Sequence, residues 1–249
     1  MTLLFLACAG SREVIRFEPA KITLDELIEN MKLHDSRLDG IMGRMSISIE
    51  TPTMESSFEA DYYFSAPDSF RANIRGLLGT TPGALVNIGD STAAYFPGQG
   101  TLYVAVAEPG IENPVLGLNM EFADLVRALS GIFGVDELDS FVAFEDLRNF
   151  YELIYLNDGD FVRAEILPSR WVLGSKQIYN QDGTSLLDIS YGGFTEIQGM
   201  TRATEITIIN PMRNEKVKVE IKKEYIGREL PKGIFELGVP ENVAVVYML

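Results

Sequence analysis

Two periodicities run through the chain. From Thr23 towards Gly40, Leu24, Leu27, Ile28 and Met31 recur at helical spacing behind a Thr23/Glu26 capping box, which predicts an amphipathic helix ending near Gly40. Beyond it the period drops to two. Met45, Ile47 and Ile49 alternate with Arg44, Ser46, Ser48 and Glu50; Phe58, Ala60, Tyr62 and Phe64 alternate with Glu59, Asp61 and Tyr63; Phe70, Ala72 and Ile74 alternate with Arg71, Asn73 and Arg75. Alternate side chains of a strand point to opposite faces, so each run predicts a strand with one apolar face.

Turn signals follow every 8 to 12 residues, among them Ala66-Pro67-Asp68, Pro97-Gly98, Asn157-Asp158-Gly159, Gln181-Asp182-Gly183 and Asn210-Pro211. The runs between them, at about 84–88, 91–96, 101–107, 150–156, 161–166, 171–179, 185–191, 201–209 and 216–226, bring the expected total to about a dozen strands in antiparallel hairpins. One stretch, roughly 119–147, has helical spacing in Phe122, Leu125, Val126, Leu129 and Phe133, then in Leu138 and Val142, and predicts one or two short helices. Strand twist accumulates, so a sheet this wide has to curl. The expected fold is mainly β (α+β): a large curved antiparallel sheet forming an unclosed half-barrel, with the N-terminal helix and the mid-chain helices as its lid. The apolar face carrying Met45, Ile47, Ile49, Phe58, Tyr62, Phe64, Phe70, Ile74, Leu102, Val104 and Val106 is assigned to the concave side. That interior is either packed shut or open to an apolar ligand.

Composition narrows the function. The 249 residues are 46% hydrophobic and 23% charged with no compositional step, which favours a single domain over 21–249 behind a polar tether within 1–20. A formal charge of -15, from 21 Lys and Arg against 36 Asp and Glu, argues against nucleic acid as a partner. With one Cys and one His, a disulfide framework, a zinc site and a Cys/His dyad are excluded. His34 lies in a charged helical stretch and is expected at the surface. No G-x-S-x-G elbow, phosphate cradle or calcium loop occurs, and the acidic group of Asp136, Glu137, Asp139, Glu145 and Asp146 reads as solvated surface. No enzyme activity, cofactor or metal is expected.

The sole cysteine closes the segment MTLLFLAC, where an apolar run and small Ala7 precede Cys8. This resembles the end of a bacterial lipoprotein signal peptide, which implies that Cys8 carries diacylglycerol and that the protein is held at a membrane; the alternative is an ordinary N-terminal cysteine. Cys8 is followed by Ala9 and Gly10 with no Asp, so the outer membrane is the expected address.

The segment PDSFRANIRGLLGTTPGALVNIGDSTAAYFPGQGTLYVA, residues 67–105, and the ending EYIGRELPKGIFELGVPENVAVV, residues 224–246, complete the pattern. Together with the order of parts, they resemble the periplasmic lipoprotein carrier and outer-membrane lipoprotein receptor family (LolA/LolB-like). The resemblance implies an unclosed barrel with a helical lid over a cavity for acyl chains of lipoproteins or another lipid, in a monomer facing the periplasm. It also implies that Leu77 or Leu78, in the turn Gly76-Leu77-Leu78-Gly79, inserts into the membrane; the alternative is that both leucines pack on the barrel rim. Two functions stay open: a lipid-anchored protein for lipid or lipoprotein transport, and an accessory lipoprotein of an envelope complex with a filled β-core.

Overall fold

The computed structural model describes residues 22–76, 81–89, 91–106, 122–134, 140–147, 149–157 and 159–248. Its elements in chain order are α1 (Leu24–Asp35), β1 (Ile41–Glu50), β2 (Glu55–Ser65), β3 (Ser69–Ile74), β4 (Gly83–Ile88), β5 (Ser91–Phe96), β6 (Thr101–Val106) and α2 (Phe122–Ser130). The second half supplies β7 (Ser140–Asp146), β8 (Tyr151–Asn157), β9 (Asp160–Leu167), β10 (Val172–Tyr179), β11 (Ser185–Gly192), β12 (Thr195–Ile197), β13 (Met200–Arg202), β14 (Glu205–Asn210), β15 (Glu215–Tyr225) and β16 (Ala244–Met248). The capping box forms as the sequence predicts: the Thr23 hydroxyl accepts from the Glu26 amide, and the Glu26 carboxylate accepts from the Thr23 amide at 2.8 Å.

Fourteen strands form one curved sheet in the order β16-β6-β5-β4-β3-β2-β1-β15-β14-β11-β10-β9-β8-β7, and β12 pairs with β13 in a separate ribbon. β16 and β7 lie at opposite edges, so the barrel is not closed. Every pairing is antiparallel except the last: β16 runs parallel to β6, with Val245 opposite Leu102. A parallel partner needs a crossover, here the segment 226–243. Arg71 ties that crossover to the outer face of the sheet by donating to the carbonyls of Ile234 (2.6 Å) and Glu236 (2.9 Å). Val86, directly opposite Arg71 in the register, is 5% exposed on that outer face, while Leu85 is 4% exposed on the inner one. This is why β4 is apolar without alternation: both of its faces are covered.

Three expectations require correction. Residues 140–146 form β7 rather than a helix; a bulge between Phe141 and Ala143 sets an extra residue against the partner strand and breaks the alternation that would have betrayed a strand. The run 201–209 is not one strand: Met200–Arg202 belongs to the ribbon and Glu205–Asn210 to the main sheet. Among the described residues there are sixteen strands rather than about a dozen.

Two apolar cores lie side by side on the inner face. Leu125, Val126, Ala128 and Leu129 of α2 pack against β1 to β5 and against β11, β14 and β15. Leu27 and Met31 of α1 pack with Tyr151, Leu153 and Tyr155 of β8 and with Val162, Ala164 and Ile166 of β9. The amphipathic helices thus cover the sheet as two lids, one over each half.

Candidate functional site

Register decides which residues share the inner face, because cross-strand partners in an antiparallel pair lie on the same side. Met45, Ile47, Ile49, Tyr62, Phe64 and Phe70 all belong to the core under α2 and are buried there. Phe58, opposite Ile47, and Ile74, opposite Ala60, share that face and are partly buried. Leu102 and Val104 do not. In the register Thr101, Tyr103 and Ala105 continue the inner rows through Phe96, Ala94 and Thr92, so Leu102 and Val104, opposite Tyr95 and Ala93, occupy the outer face. Val106, opposite Ser91, follows the same alternation in the register. The assignment failed because β6 is apolar on both sides, and alternation alone cannot say which set is inside. Cys8, Leu77 and Leu78 lie outside the described residues, as do Asp136, Glu137 and Asp139.

A buried polar network crosses the inner face near one end of α2. Arg202 is 5% exposed and donates from Nε to Glu224 Oε2 at 2.9 Å and from Nη2 to Glu224 Oε1 at 3.1 Å. The same guanidinium donates to the carbonyls of Ser130 and Leu129, the last residues of α2. Helix C-termini present carbonyls without intrahelical donors and carry partial negative charge, so a cation there both caps and anchors the helix. Gly131, at φ +69°, leaves room for this contact: a Cβ would stand 2.7 Å from Arg202 Nη1. The Tyr62 hydroxyl completes the network by donating to Glu224 Oε1. Burial, reinforced by the Glu224 carboxylate, holds the Tyr62 hydroxyl well above its ordinary pKa. Burial acts to lower the Arg202 pKa; the charge and hydrogen bonds of Glu224 outweigh it and leave Arg202 raised.

Asp35 joins the two lids. Its carboxylate accepts from the amides of Phe133 and Gly134, each at 3.0 Å, so the C-terminus of α1 holds the segment that follows α2. His34, expected at the surface, is instead 9% exposed, with its ring 5.1 Å from that of Phe133 in an edge contact. The reason is position: on α1 it falls on the same side as Leu27 and Met31. Its Nδ1 lies 3.2 Å from Asp35 Oδ1, and its Nε2 has no hydrogen-bond partner.

His34, Leu129, Leu173, Tyr191 and Arg202 border a small enclosed space of about 20 Å³ where the lids meet, room for about one water molecule. The other cavity is larger, about 530 Å³, but it lies on the outside, between the crossover residues Arg228 to Glu236 and Asp39, Ser65 and Ile88.

Sequence reasoning missed Arg202 and Glu224. A signal existed for Glu224. The pair Lys222-Lys223 breaks the alternation Val217, Val219, Ile221, and a bulge opposite Arg44 and Met45 shifts Glu224 into the inner set. Arg202 carried none, because a single cation in a short run looks like ordinary alternation.

No family model matches the sequence, and no curated protein matches it either. Solved structures do match. An outer membrane lipoprotein-sorting protein domain from Vibrio parahaemolyticus superposes with a TM-score of 0.68 at 13% identity, over 85% of this chain and 95% of that one. A DUF1329 family protein from Desulfovibrio piger gives 0.67 at 11% identity over 85% and 95%, and a LolA superfamily protein from Nitrosomonas europaea gives 0.62 at 17% over 87% and 99%. At these identities the likeness establishes the fold, which is LolA-like. Among the described residues no group of three or more His, Cys, Asp or Glu could hold a metal ion, and no helix is long and apolar enough to cross a membrane.

Proposed function

We propose that this protein takes up the acyl chains of lipoproteins, or another long apolar ligand, against the inner face of its sheet, in place of the α2 lid. The observation that carries the reading is the make-up of the lid contact. Leu125, Val126, Ala128 and Leu129 meet an apolar sheet, and Arg202 holds the helix at its C-terminal end. An acyl chain presents the same kind of surface, so exchanging helix for ligand conserves buried apolar area. The lipoprotein-sorting neighbour and the LolA superfamily neighbour support the same reading through the shared fold. In this reading the chain is a single unit over 21–249, lies in the bacterial envelope, and is attached to the outer membrane through Cys8.

Native mass spectrometry of protein purified from membranes without delipidation is expected to show an acyl-bearing adduct of one ligand per chain. The small size, about 20 Å³, of the space where the two lids meet favours a second reading, a structural lipoprotein with a permanently filled core. Absence of any adduct, together with failure to bind a fluorescent fatty-acyl probe, would decide for that second reading.

Attachment is tested by fractionation. Cys8→Ser is expected to move the protein from membranes to the soluble fraction, while a double Leu77→Ser and Leu78→Ser variant stays bound but delivers lipid to liposomes more slowly. A Cys8→Ser protein that remains wholly membrane-bound would sink the anchor, and undiminished delivery by the leucine variant would sink the insertion loop.

A further inference from the structure

The two lids meet along a seam, and one cation stands in it. Lys176 of β10 pairs with Ala164 of β9 on one side and Ile189 of β11 on the other, both buried inner-face residues. Ala164 belongs to the core under α1 and Ile189 to the core under α2. The row containing Lys176 continues through Leu153 on one side and through Ile208, Val217 and Ile49 on the other, all 0% to 1% exposed. Lys176 itself is partly buried.

Arg202, the buried cation by the end of α2, is fully engaged by Glu224 and helix carbonyls. Among the described residues, the Lys176 side chain has no hydrogen bond or ion pair. Its cross-strand neighbours offer no acid, and Ile178, two positions along on the same face, touches both cores. The enclosed space by His34 and Leu173 lies about 10 Å away along the same strand, at about 3.3 Å per residue. A lysine stem can line an apolar surface with its methylenes, but the ammonium at its tip loses hydration without a partner to replace it.

We infer that Lys176 receives the anionic head of an acyl ligand lying in the seam, so that the protein selects single-chain amphiphiles ending in a carboxylate or phosphate over neutral ones. The inference rests on the acyl-binding reading above and adds to it the chemistry of the head. The acyl chain lies on the face under α2, along Ile189 and Ile208, and the oxyanion accepts charge-assisted hydrogen bonds from the ammonium. Lys176 acts here as a specificity residue, and the apolar faces supply the remaining affinity.

The test compares hexadecanoate, hexadecyl phosphate and hexadecan-1-ol as displacers of a fluorescent acyl probe. Wild-type protein is expected to bind at least one of the anions about tenfold more tightly than the alcohol, a difference of about 1.4 kcal/mol. Which anion wins identifies the head as carboxylate or phosphate. Lys176→Met should bring the anions down to the alcohol's affinity and leave the alcohol unchanged, and Lys176→Arg should keep the preference. Equal binding of all three by wild type, or a preference that survives Lys176→Met, overturns the head-group assignment and leaves acyl binding intact. Binding of none of them overturns both. If Lys176→Met does not fold, the wild-type preference and its retention in Lys176→Arg decide.

Discussion

Glu224→Ala is expected to lower the unfolding free energy by about 3–5 kcal/mol, the loss typical of a buried ion pair deprived of one partner. The substitution leaves the Arg202 guanidinium, 5% exposed, without its carboxylate, and deprives the Tyr62 hydroxyl of its acceptor in the same step. Urea unfolding followed by circular dichroism reads this as a lower midpoint, and a shift under 1 kcal/mol would mean that the network is not closed as described. The same network gives a pH dependence with a definite sign. Tyr62 has its pKa raised in the folded state, chiefly by burial and then by Glu224, so folding favours its neutral form. Its contribution is complete below the ordinary tyrosine pKa of about 10 and is lost as pH rises through the folded value. Stability should therefore decline above about pH 10, and Tyr62→Phe should flatten that decline in part. Burial pushes the hydroxyls of Tyr191 and Tyr151 the same way, so they add to the decline.

Gly43→Ala is expected to destabilise by about 3 kcal/mol, at the upper end for overpacking by a single methyl. A Cβ at this position would stand 2.3 Å from the Lys223 carbonyl oxygen and 2.7 Å from Tyr62 Cε1. The first contact is backbone and cannot swing away, because β1 and β15 are paired on both sides of it, and the second would push Tyr62 off Glu224. Gly98 makes the contrast: a Cβ there meets nothing within 4 Å, and Gly98→Ala should change stability by less than about 0.5 kcal/mol. Equal midpoints for the two variants would refute the close approach.

The architecture was legible wherever one face of an element is wet. Met45, Ile47 and Ile49 alternate with polar residues because the outer side of β1 meets solvent, and the Thr23/Glu26 box marked α1 at its first turn. Legibility failed where that condition lapses. β4 and β6 are apolar on both sides, so Leu102 and Val104 were set on the wrong face. β7, an edge strand with a bulge and with Phe141 at 40% exposure, lacks a clean period of either kind. The polar residues of the candidate site were the least legible. Arg202 and Glu224 are 22 positions apart in sequence and Tyr62 is 162 from Glu224, so the pairing of β1 with β15 has to bring Tyr62 to Glu224 and the β12–β13 ribbon has to bring Arg202.

That central pairing also orders events in time. Ile47 sits opposite Val219, 172 positions later, and the core under α2 draws on both β1 to β5 and β14 to β15. One edge of β1 therefore stays unpaired until nearly the whole chain has been synthesised, and contacts this distant in sequence form slowly. Until then β1 is an open edge that any other strand can pair with. A nascent chain halted before Glu215 is thus not a smaller version of the fold but an aggregation-prone part of it, dependent on whatever shields unfinished β-sheets in the cell.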